Sequence, residues 1–256
     1  MKTKKEIADN WLPRYTGSTK AEISKYILLT NFSSYLKLFS EMFNVPVNGL
    51  DKPMPSVTAN GITMINFGMG SANAATIMDL LSCVKPKACL FLGKCGGLKK
   101  GNELGDLILP IAAIRGEGTS NDYFPIEVPA MPSFNLQKAV STTIRNHNKD
   151  YWTGTVYTTN RRVWEHDESF KAHLTKFRCI GIDMETATIF ITGFYNKIPT
   201  GALLLVSDQP MFAEGVKTAE SDKMVSTNFV NEHIMIGIDS LNELINNGLT
   251  VKHLRF

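Results

Sequence analysis

Two carboxylates, Glu185 and Asp208, occupy positions from which side chains often act in catalysis. Asp208 follows a continuous apolar run, residues 201–206, that is too short for an independent helix and lies between Pro199 and Pro210. Such a run is typical of a strand covered on both faces of a mainly parallel sheet. Glu185 begins a helical segment of about three turns. Because chemistry in open α/β sheets collects beyond the carboxyl ends of the strands, we expect both carboxylates at one edge of the sheet.

The elements that must carry these side chains alternate along the chain. Short apolar runs predict strands, and apolar residues at three- and four-residue spacing predict helices. The predicted strands are 26–29, 62–67, 88–92, 106–109, 153–157 and 201–206, and the predicted helices are 36–43, 74–84, 134–147 and 228–246. Residues 1–20, polar and broken by Pro13 and Gly17, are predicted to form an arm outside the core. This series of strands and helices predicts one α/β domain over residues 1–256, with a central mixed, mostly parallel β-sheet flanked by helices.

Composition and charge exclude several classes of function. The net charge of +3 is too small, and the Lys/Arg runs too short, for a nucleic-acid-binding protein. No apolar run approaches the roughly 20 residues of a membrane span, and the N-terminus lacks the apolar region of a signal peptide. The histidines follow no metal-ligand spacing, so neither a metal nor another cofactor is expected. The cysteines form no disulfide framework, which favours reduced thiols in the cytoplasm; they are Cys83, Cys89, Cys95 and Cys179.

A glycine-bearing turn, Gly68-Met-Gly70, stands between a predicted strand and a predicted helix. The amides of such a turn and of the following helix suit a phosphate group. A dinucleotide-binding fingerprint also requires an acid at the end of the next strand, where it would hold the ribose hydroxyls. That strand ends in Leu92-Gly-Lys94, without an acid, which argues against a nicotinamide cofactor. A tight turn without any ligand is the simpler alternative.

Three motifs together resemble the nucleoside phosphorylase/nucleosidase family. Asp183-Met-Glu-Thr-Ala187 is similar to the ribose motif of that family, Val206-Ser-Asp208 to its base-site motif, and Gly68-Met-Gly-Ser71 to its glycine turn. The resemblance is strongest to the members that hydrolyse AMP, and it covers nearly the whole chain in collinear order. Further matching segments are 14–17, 28–32, 93–98, 153–156, 162–165, 203–210 and 252–256. Longer members carry an extra N-terminal regulatory domain, for which this chain has no room.

The resemblance implies a reaction and roles for individual residues. AMP would be hydrolysed to adenine and ribose 5-phosphate, with Asp208 hydrogen-bonding or protonating N7 of adenine. Glu185 would accept hydrogen bonds from the ribose hydroxyls and, when ionised, favour a cationic transition state. Met184 would pack against the sugar. The other implied substrate-binding residues are Arg162, Trp164, Asn31 and Ser207 around the nucleotide, with Arg14, Lys94, Arg115 and the Gly70-Ser71 turn as candidates for the 5′-phosphate.

One departure from the phosphorylases of the family concerns the attacking group. By alignment, the positions where the hexameric phosphorylases hold inorganic phosphate are Phe91 and Lys94 here. Phe91 cannot bind phosphate, which argues for water as the nucleophile, although Lys94 could still meet a phosphate carried by the substrate. The sequence does not identify a group that activates the water.

Alternatives remain open at this point. Taken singly, Ser207-Asp208 could be a turn, Glu185 a first-turn helix acid, Trp164 a core residue and Arg162 a surface charge. The runner-up enzyme is a phosphate-dependent purine nucleoside phosphorylase. A nucleotide sensor without turnover is a third possibility, although it has little need of an acid at the leaving base. The family resemblance also implies a homo-oligomer, often a hexamer, with the loop 115–132 as the candidate contribution to a neighbouring site.

Overall fold

The computed structural model describes residues 1–247 of the chain. These residues contain eight strands and eight α-helices. The strands are β1 Tyr26–Thr30, β2 Ser56–Ala59, β3 Ile62–Asn66, β4 Ala88–Gly97, β5 Leu107–Gly116, β6 Trp152–Thr159, β7 Gly181–Asp183 and β8 Thr200–Asp208. The helices are α1 Lys4–Thr16, α2 Ser33–Phe43, α3 Ser71–Leu81, α4 Phe134–Asn146, α5 Glu168–Phe177, α6 Thr186–Asn196, α7 Ala219–Asn228 and α8 Val230–Asn247.

The strands form one mixed sheet in the order β2-β3-β1-β4-β7-β6-β5-β8. Strand β8 also pairs with β4, so that β4, β7, β6, β5 and β8 close into a ring. The pairs β1–β3, β1–β4, β4–β8, β5–β6 and β6–β7 are parallel, whereas β2–β3, β4–β7 and β5–β8 are antiparallel. The predicted α/β fold with a mixed, mostly parallel sheet is confirmed.

Strand β8 shows why the apolar run at 201–206 is a strand. Its residues alternate between two core layers: Leu204 and Val206 pack with helices α3 and α6, while Leu203 and Leu205 pack with helices α4 and α8. Every residue from Thr200 to Ser207 is buried. Both faces of the strand are therefore covered by helices, which removes the polar alternation that a half-exposed strand would show.

The structure corrects several of the predicted boundaries. Residues 1–20 are not an arm outside the core, because helix α1 buries Ala8 and Leu12 against the layer that contains α3. Strand β4 does not end at Leu92 but continues to Gly97, and β5 continues to Gly116. Elements β2, β7, α5 and α7 were not predicted. The matching segment 252–256 lies outside the described residues.

The described part of the chain holds no helix that combines the length and the apolar character needed to cross a membrane. A separate observation concerns the four cysteines, which are buried and unpaired with one another. Cys83 lies just after α3, Cys89 and Cys95 lie on β4, and Cys179 lies before β7; all four pack as small apolar side chains.

Candidate active site

A cleft opens where strands β1, β4, β7 and β8 end and the loop after β6 begins. Eight of the predicted site residues line it: Asn31, Lys94, Arg162, Trp164, Met184, Glu185, Ser207 and Asp208. The structure therefore brings both predicted catalytic carboxylates to one cavity. Four predicted residues do not line it: Arg14, Gly70, Ser71 and Arg115. The other lining residues are Phe32, Met69, Cys95, Gly96, Thr159, Arg161, Glu165, Ile182, Asp183, Pro210 and Lys217.

Asp208 is the last residue of β8 and projects from the buried strand into the cleft. The Ser207 hydroxyl donates a 2.6 Å hydrogen bond to its Oδ1. Burial raises the pKa of Asp208, while the hydrogen bond from Ser207 and the charges of Lys217 and Arg162 oppose that rise. An aspartic acid with a raised pKa at a strand end can hold a proton for transfer.

Glu185 joins β7 to α6 and is 2% exposed. Its Oε1 accepts a 2.7 Å hydrogen bond from the Gly70 amide, and its Oε2 accepts one from the Met184 amide at 3.3 Å. Burial, followed by the charge of Asp183, raises the pKa of Glu185, and hydrogen bonds from both amides and from the Asn31 side chain oppose the rise. The carboxyl group is thus held in a fixed orientation in a dry environment.

Asp183, which the motif contains but to which sequence reasoning gave no role, organises this corner of the site. Its Oδ1 accepts from the Thr158 hydroxyl at 2.7 Å, and its Oδ2 accepts from the Thr186 amide at 2.7 Å. Asp183 therefore caps the first turn of α6 and ties it to β6. Burial raises its pKa. The signal in the sequence was an aspartate three residues before the first residue of α6, since aspartate is a residue type that favours helix starts.

The glycine turn does not offer the phosphate site that was predicted for Gly70 and Ser71. The Gly70 amide is bonded to Glu185, and the Ser71 hydroxyl pairs with the Thr119 hydroxyl at 2.7 Å. Only Met69 of the turn lines the cleft. The physical reason is that the turn faces the carboxylate of its own chain, which takes the amide that a phosphate would need. The turn is a support for Glu185.

Lys94 lies inside β4 rather than in a turn, and its side chain is only 3% exposed. Its Nζ donates to Asp222 at 3.1 Å and to Ser226 at 2.8 Å, both on α7, and lies 4.9 Å from the centre of the Phe32 ring. Burial lowers the pKa of Lys94, and the bond to Asp222 opposes this. Asp222 also pairs with Lys217 at 2.9 Å. Sequence reasoning missed α7 and this pairing, because partners 128 residues apart leave no local pattern.

Trp164 and Arg162 line the side of the cleft formed by the loop after β6. Trp164 is 4% exposed and packs edge-on against Phe170 at 5.3 Å between ring centres, so it is both a core residue and a wall of the cleft. The Arg162 side chain is 55% exposed, and its Nη1 lies 3.7 Å from Oε1 of Glu165. This loop therefore supplies the aromatic ring of Trp164 and the exposed guanidinium of Arg162 to the same wall of the cleft.

Arg115 is not available to a substrate, because its guanidinium holds the loop that follows β5. It donates to the side chains of Ser120 and Asn121 and to the carbonyls of Phe124, Pro125 and Val128, at 2.6–3.0 Å. All five donors of the guanidinium are thereby used. These hydrogen bonds tie the loop after β5 back to Arg115 at the end of that strand.

Arg14 is also remote from the cleft of its own chain. It is an exposed residue in the last turn of α1, and its guanidinium lies 5.8 Å from the centre of the Trp11 ring. The prediction that it meets the 5′-phosphate is therefore not met within one chain. Phe91 is fully buried, packs against Phe67 at 5.7 Å between ring centres and does not line the cleft.

Among the described residues, no three His, Cys, Asp or Glu side chains are grouped as a metal site would require. The acids that do come together, Asp183 and Glu185, hold hydrogen-bond donors of their own chain.

Comparison with known proteins fits this geometry. The family model of the phosphorylase superfamily matches residues 49–241, which contain both carboxylates and the glycine turn. The chain belongs to the phosphorylase superfamily. Two members, the uridine phosphorylase of Vibrio fischeri ES114 and the purine nucleoside phosphorylase of Toxoplasma gondii, share its fold at TM-scores of 0.78 and 0.77. Their identities are 20% and 18%, and the alignments cover 88% of this chain and 94% of each structure.

Two other superfamily members are more similar in sequence. The crystal structure of AMP nucleosidase from Bacteroides thetaiotaomicron VPI-5482 is 59% identical, with a TM-score of 0.86, over 96% of this chain and 100% of that structure. The AMP nucleosidase of Escherichia coli (strain K12) is 28% identical over an alignment of 279 positions that covers 91% of this chain and 57% of that protein. The chain thus spans little more than half the length of the E. coli relative.

Proposed function

We propose that this superfamily member hydrolyses the N-glycosidic bond of AMP, giving adenine and ribose 5-phosphate. The observation that carries the proposal is the meeting of Asp208 and Glu185 in one cleft, the first with a raised pKa and the second held by backbone amides. The 59% identity to an AMP nucleosidase over nearly the whole chain supports the choice of substrate.

Asp208 acts at the leaving base. Breaking the bond between C1′ and N9 leaves the electron pair on the purine, and a proton from Asp208 to N7 turns the anionic leaving group into neutral adenine. A positioned general acid is typically worth about 10²–10⁴-fold in rate. Because burial raises the pKa of Asp208, the carboxyl group can keep this proton at a higher pH than an exposed aspartate could.

Glu185 acts at the ribose, with Met184 packed against the sugar. The carboxyl group accepts hydrogen bonds from the ribose hydroxyls in the direction fixed by Gly70. In the free protein, burial disfavours its ionised form. Positive charge that develops on the ribose favours that form again, so the electrostatic stabilisation is greater in the transition state than in the ground state.

Water completes the reaction by adding its hydroxide to C1′ while its remaining proton leaves to solvent or returns to Asp208. The buried Phe91 leaves no basic side chain at that position to hold inorganic phosphate. For the 5′-phosphate of the substrate, Lys94 remains our candidate from the sequence. The other cations that line the cleft are Arg161, Arg162 and Lys217.

The first experiment separates this proposal from its alternatives. The protein is incubated with AMP or with adenosine, each with and without inorganic phosphate, and the products are resolved chromatographically. We expect adenine and ribose 5-phosphate from AMP without added phosphate. Cleavage of adenosine that depends on phosphate would make the protein a phosphorylase and contradict the interpretation of Phe91. Binding of AMP, seen as a higher melting temperature, without any product would make it a sensor.

The roles of the two carboxylates are tested separately. We expect Asp208→Asn and Glu185→Gln each to reduce the turnover of AMP by at least about tenfold, with an unchanged melting temperature. Asp150→Asn, at a carboxylate that is 91% exposed, is the matched control and should be fully active. Near-normal turnover in either site variant would remove that residue from the mechanism.

We further propose that the protein is a cytoplasmic homo-oligomer, a hexamer by its family resemblance. Four unpaired cysteines support the reducing compartment. Exposed apolar side chains support the association: Ile126 on the loop 115–132 is 64% exposed, and Trp11 and Tyr195 are 42% and 47% exposed. Light scattering after size exclusion should give several times the chain mass, and Ile126→Glu should lower it. A monomer at all concentrations would contradict the proposal.

A further inference from the structure

Glu165 is a carboxylate in the cleft to which the motifs assigned no role. It lies on the loop between β6 and α5, three residues before the first residue of α5, and its side chain is 17% exposed. Together with Asp208, Arg162 and Trp164 it lines the wall at which the base is proposed to bind. A largely buried carboxylate in such a place needs a partner.

The partners within the chain satisfy only part of Glu165. Its Oε2 accepts a 2.9 Å hydrogen bond from the Trp164 backbone amide, which fixes the direction of the carboxylate. Its Oε1 is 3.7 Å from Arg162 Nη1, which is an ion pair but beyond hydrogen-bond distance. A carboxylate has about four lone-pair positions, so Oε1 retains the capacity to accept a hydrogen bond from a ligand.

Glu165 and Asp208 lie within electrostatic reach of each other. Burial is the main cause that raises the pKa of Asp208; Ser207, Lys217 and Arg162 oppose the rise, and the negative charge of Glu165 adds a smaller one. With the proton on Asp208, the wall presents one hydrogen-bond donor, Asp208, and one acceptor, Glu165.

That pattern matches one class of purine. Adenine presents N7 as an acceptor beside the 6-amino group as a donor, whereas a 6-oxo purine presents two acceptors on the same edge. We propose that Glu165 accepts a hydrogen bond from the 6-amino group of a base whose N7 meets Asp208, and so selects 6-amino over 6-oxo purines. The inference rests on the proposed function for the placement of N7. A 6-oxo purine would direct its oxygen at the carboxylate, which is repulsive and leaves both acceptors without a donor.

The test compares 6-amino and 6-oxo ligands in the variant Glu165→Gln. The wild-type protein should prefer AMP over IMP, in kcat/KM, by at least about tenfold, because one such base contact discriminates by about 1–3 kcal/mol. E165Q should lose at least about tenfold of this ratio, since its amide can donate to O6 as well as accept. Glu165→Ala, which removes the acceptor outright, should also lose the preference.

The matched control is Glu168→Gln, at a carboxylate three residues further along the chain that is 81% exposed and pairs with Lys171. It should leave the ratio of AMP to IMP unchanged. Melting temperatures of all variants show whether the fold is retained. Binding of adenine and of hypoxanthine is measured by calorimetry on the same proteins, because this readout does not require turnover.

Three results would overturn the inference. One is a wild-type protein that does not distinguish AMP from IMP or adenine from hypoxanthine. The second is a folded E165Q whose ratio stays within about twofold of wild type. The third is an equal loss for both substrates together with a lower alkaline limit of activity, which would mean that Glu165 acts only on the pKa of Asp208. If the wild-type protein turned over neither nucleotide but E165Q still lost a preference for adenine, the proposed function would fail and this inference would stand.

Discussion

The substitution Gly70→Ala tests whether the glycine turn supports Glu185. Gly70 has φ 94° and ψ 160°, a region of backbone conformation open essentially to glycine alone. A Cβ at this position would meet nothing within 4 Å, so crowding contributes nothing. The effect is therefore that of the backbone conformation, which costs about 1–3 kcal/mol for another residue. Either the turn keeps its shape and the protein loses this stability, or the turn relaxes.

If the turn relaxes, the Gly70 amide moves away from Glu185 Oε1, to which it now donates at 2.7 Å. A hydrogen bond to a charged group contributes about 1.5–3 kcal/mol, which corresponds to about 10- to 150-fold in kcat/KM. We therefore expect G70A to lose activity, measured as adenine released from AMP, or stability, measured by urea unfolding, or part of both.

Gly61→Ala is the matched control. Gly61 has φ 78° in the turn between β2 and β3, and a Cβ there would also meet nothing within 4 Å. It should lose about 1–2 kcal/mol of stability and keep its activity, because it does not line the cleft. The reasoning is refuted if G70A loses less than about 0.5 kcal/mol and retains at least half of the wild-type kcat/KM, since the turn would then be under no constraint.

Three further predictions concern groups that the proposed reaction does not use. Burial lowers the pKa of His233 to about 4. The contribution of the neutral ring to stability is therefore complete above the unfolded pKa of about 6.5 and is lost as the pH falls to about 4. Relative to His233→Gln, the wild-type protein should lose about 2 kcal/mol of unfolding free energy between about pH 7 and about pH 4.5 in urea titrations, and parallel curves for the two proteins would contradict this. Gln137 bridges backbone groups of β5 and β8: its side chain donates to the Pro110 carbonyl and accepts from the Ala202 amide. Gln137→Leu should therefore lower the unfolding free energy by about 1–3 kcal/mol. An unchanged unfolding midpoint would contradict the bridge. Arg115→Lys leaves carbonyls of the loop without donors, so peptide bonds near Ile126 should be cleaved faster in limited proteolysis. The control Arg145→Lys, at a side chain that is 62% exposed, should leave the cleavage rate unchanged. Equal rates for the two variants would contradict the role of Arg115.

Much of the fold could be predicted from local patterns. The apolar run at 201–206 predicted a doubly covered strand, and β8 runs from Thr200 to Asp208, which is its only residue that is not fully buried. The hairpin of β2 and β3 was missed although Asn60-Gly61, with positive φ at both residues, is a strong turn signal. Strand β7, with three residues, is too short for any periodicity to indicate it.

For the candidate site, the sequence by itself determined which groups could act. The residue types and their places at strand ends and helix starts predicted that Glu185 and Asp208 would meet, and they share one cleft. The parallel-sheet rule explains the place of Asp208, because β8 is parallel to β4 and pairs with its end at Gly96. Strand β7 is antiparallel to β4, so Glu185 reaches the same edge through the pairing of Ile182 with Gly96, which local order does not indicate.

Only the tertiary structure decided what each group has left to offer a ligand. Arg115 and the Gly70 amide have the chemistry of a phosphate site, but their donors are taken by a loop and by Glu185. Lys94 lines the cleft but is paired with Asp222. Glu165 lines the same cleft as Asp208, and its Oε1 can still accept a hydrogen bond. A hydrogen-bonding group acts on a ligand only with the capacity that its own chain does not use. That remainder depends on partners distant in sequence, which meet only when the chain is folded.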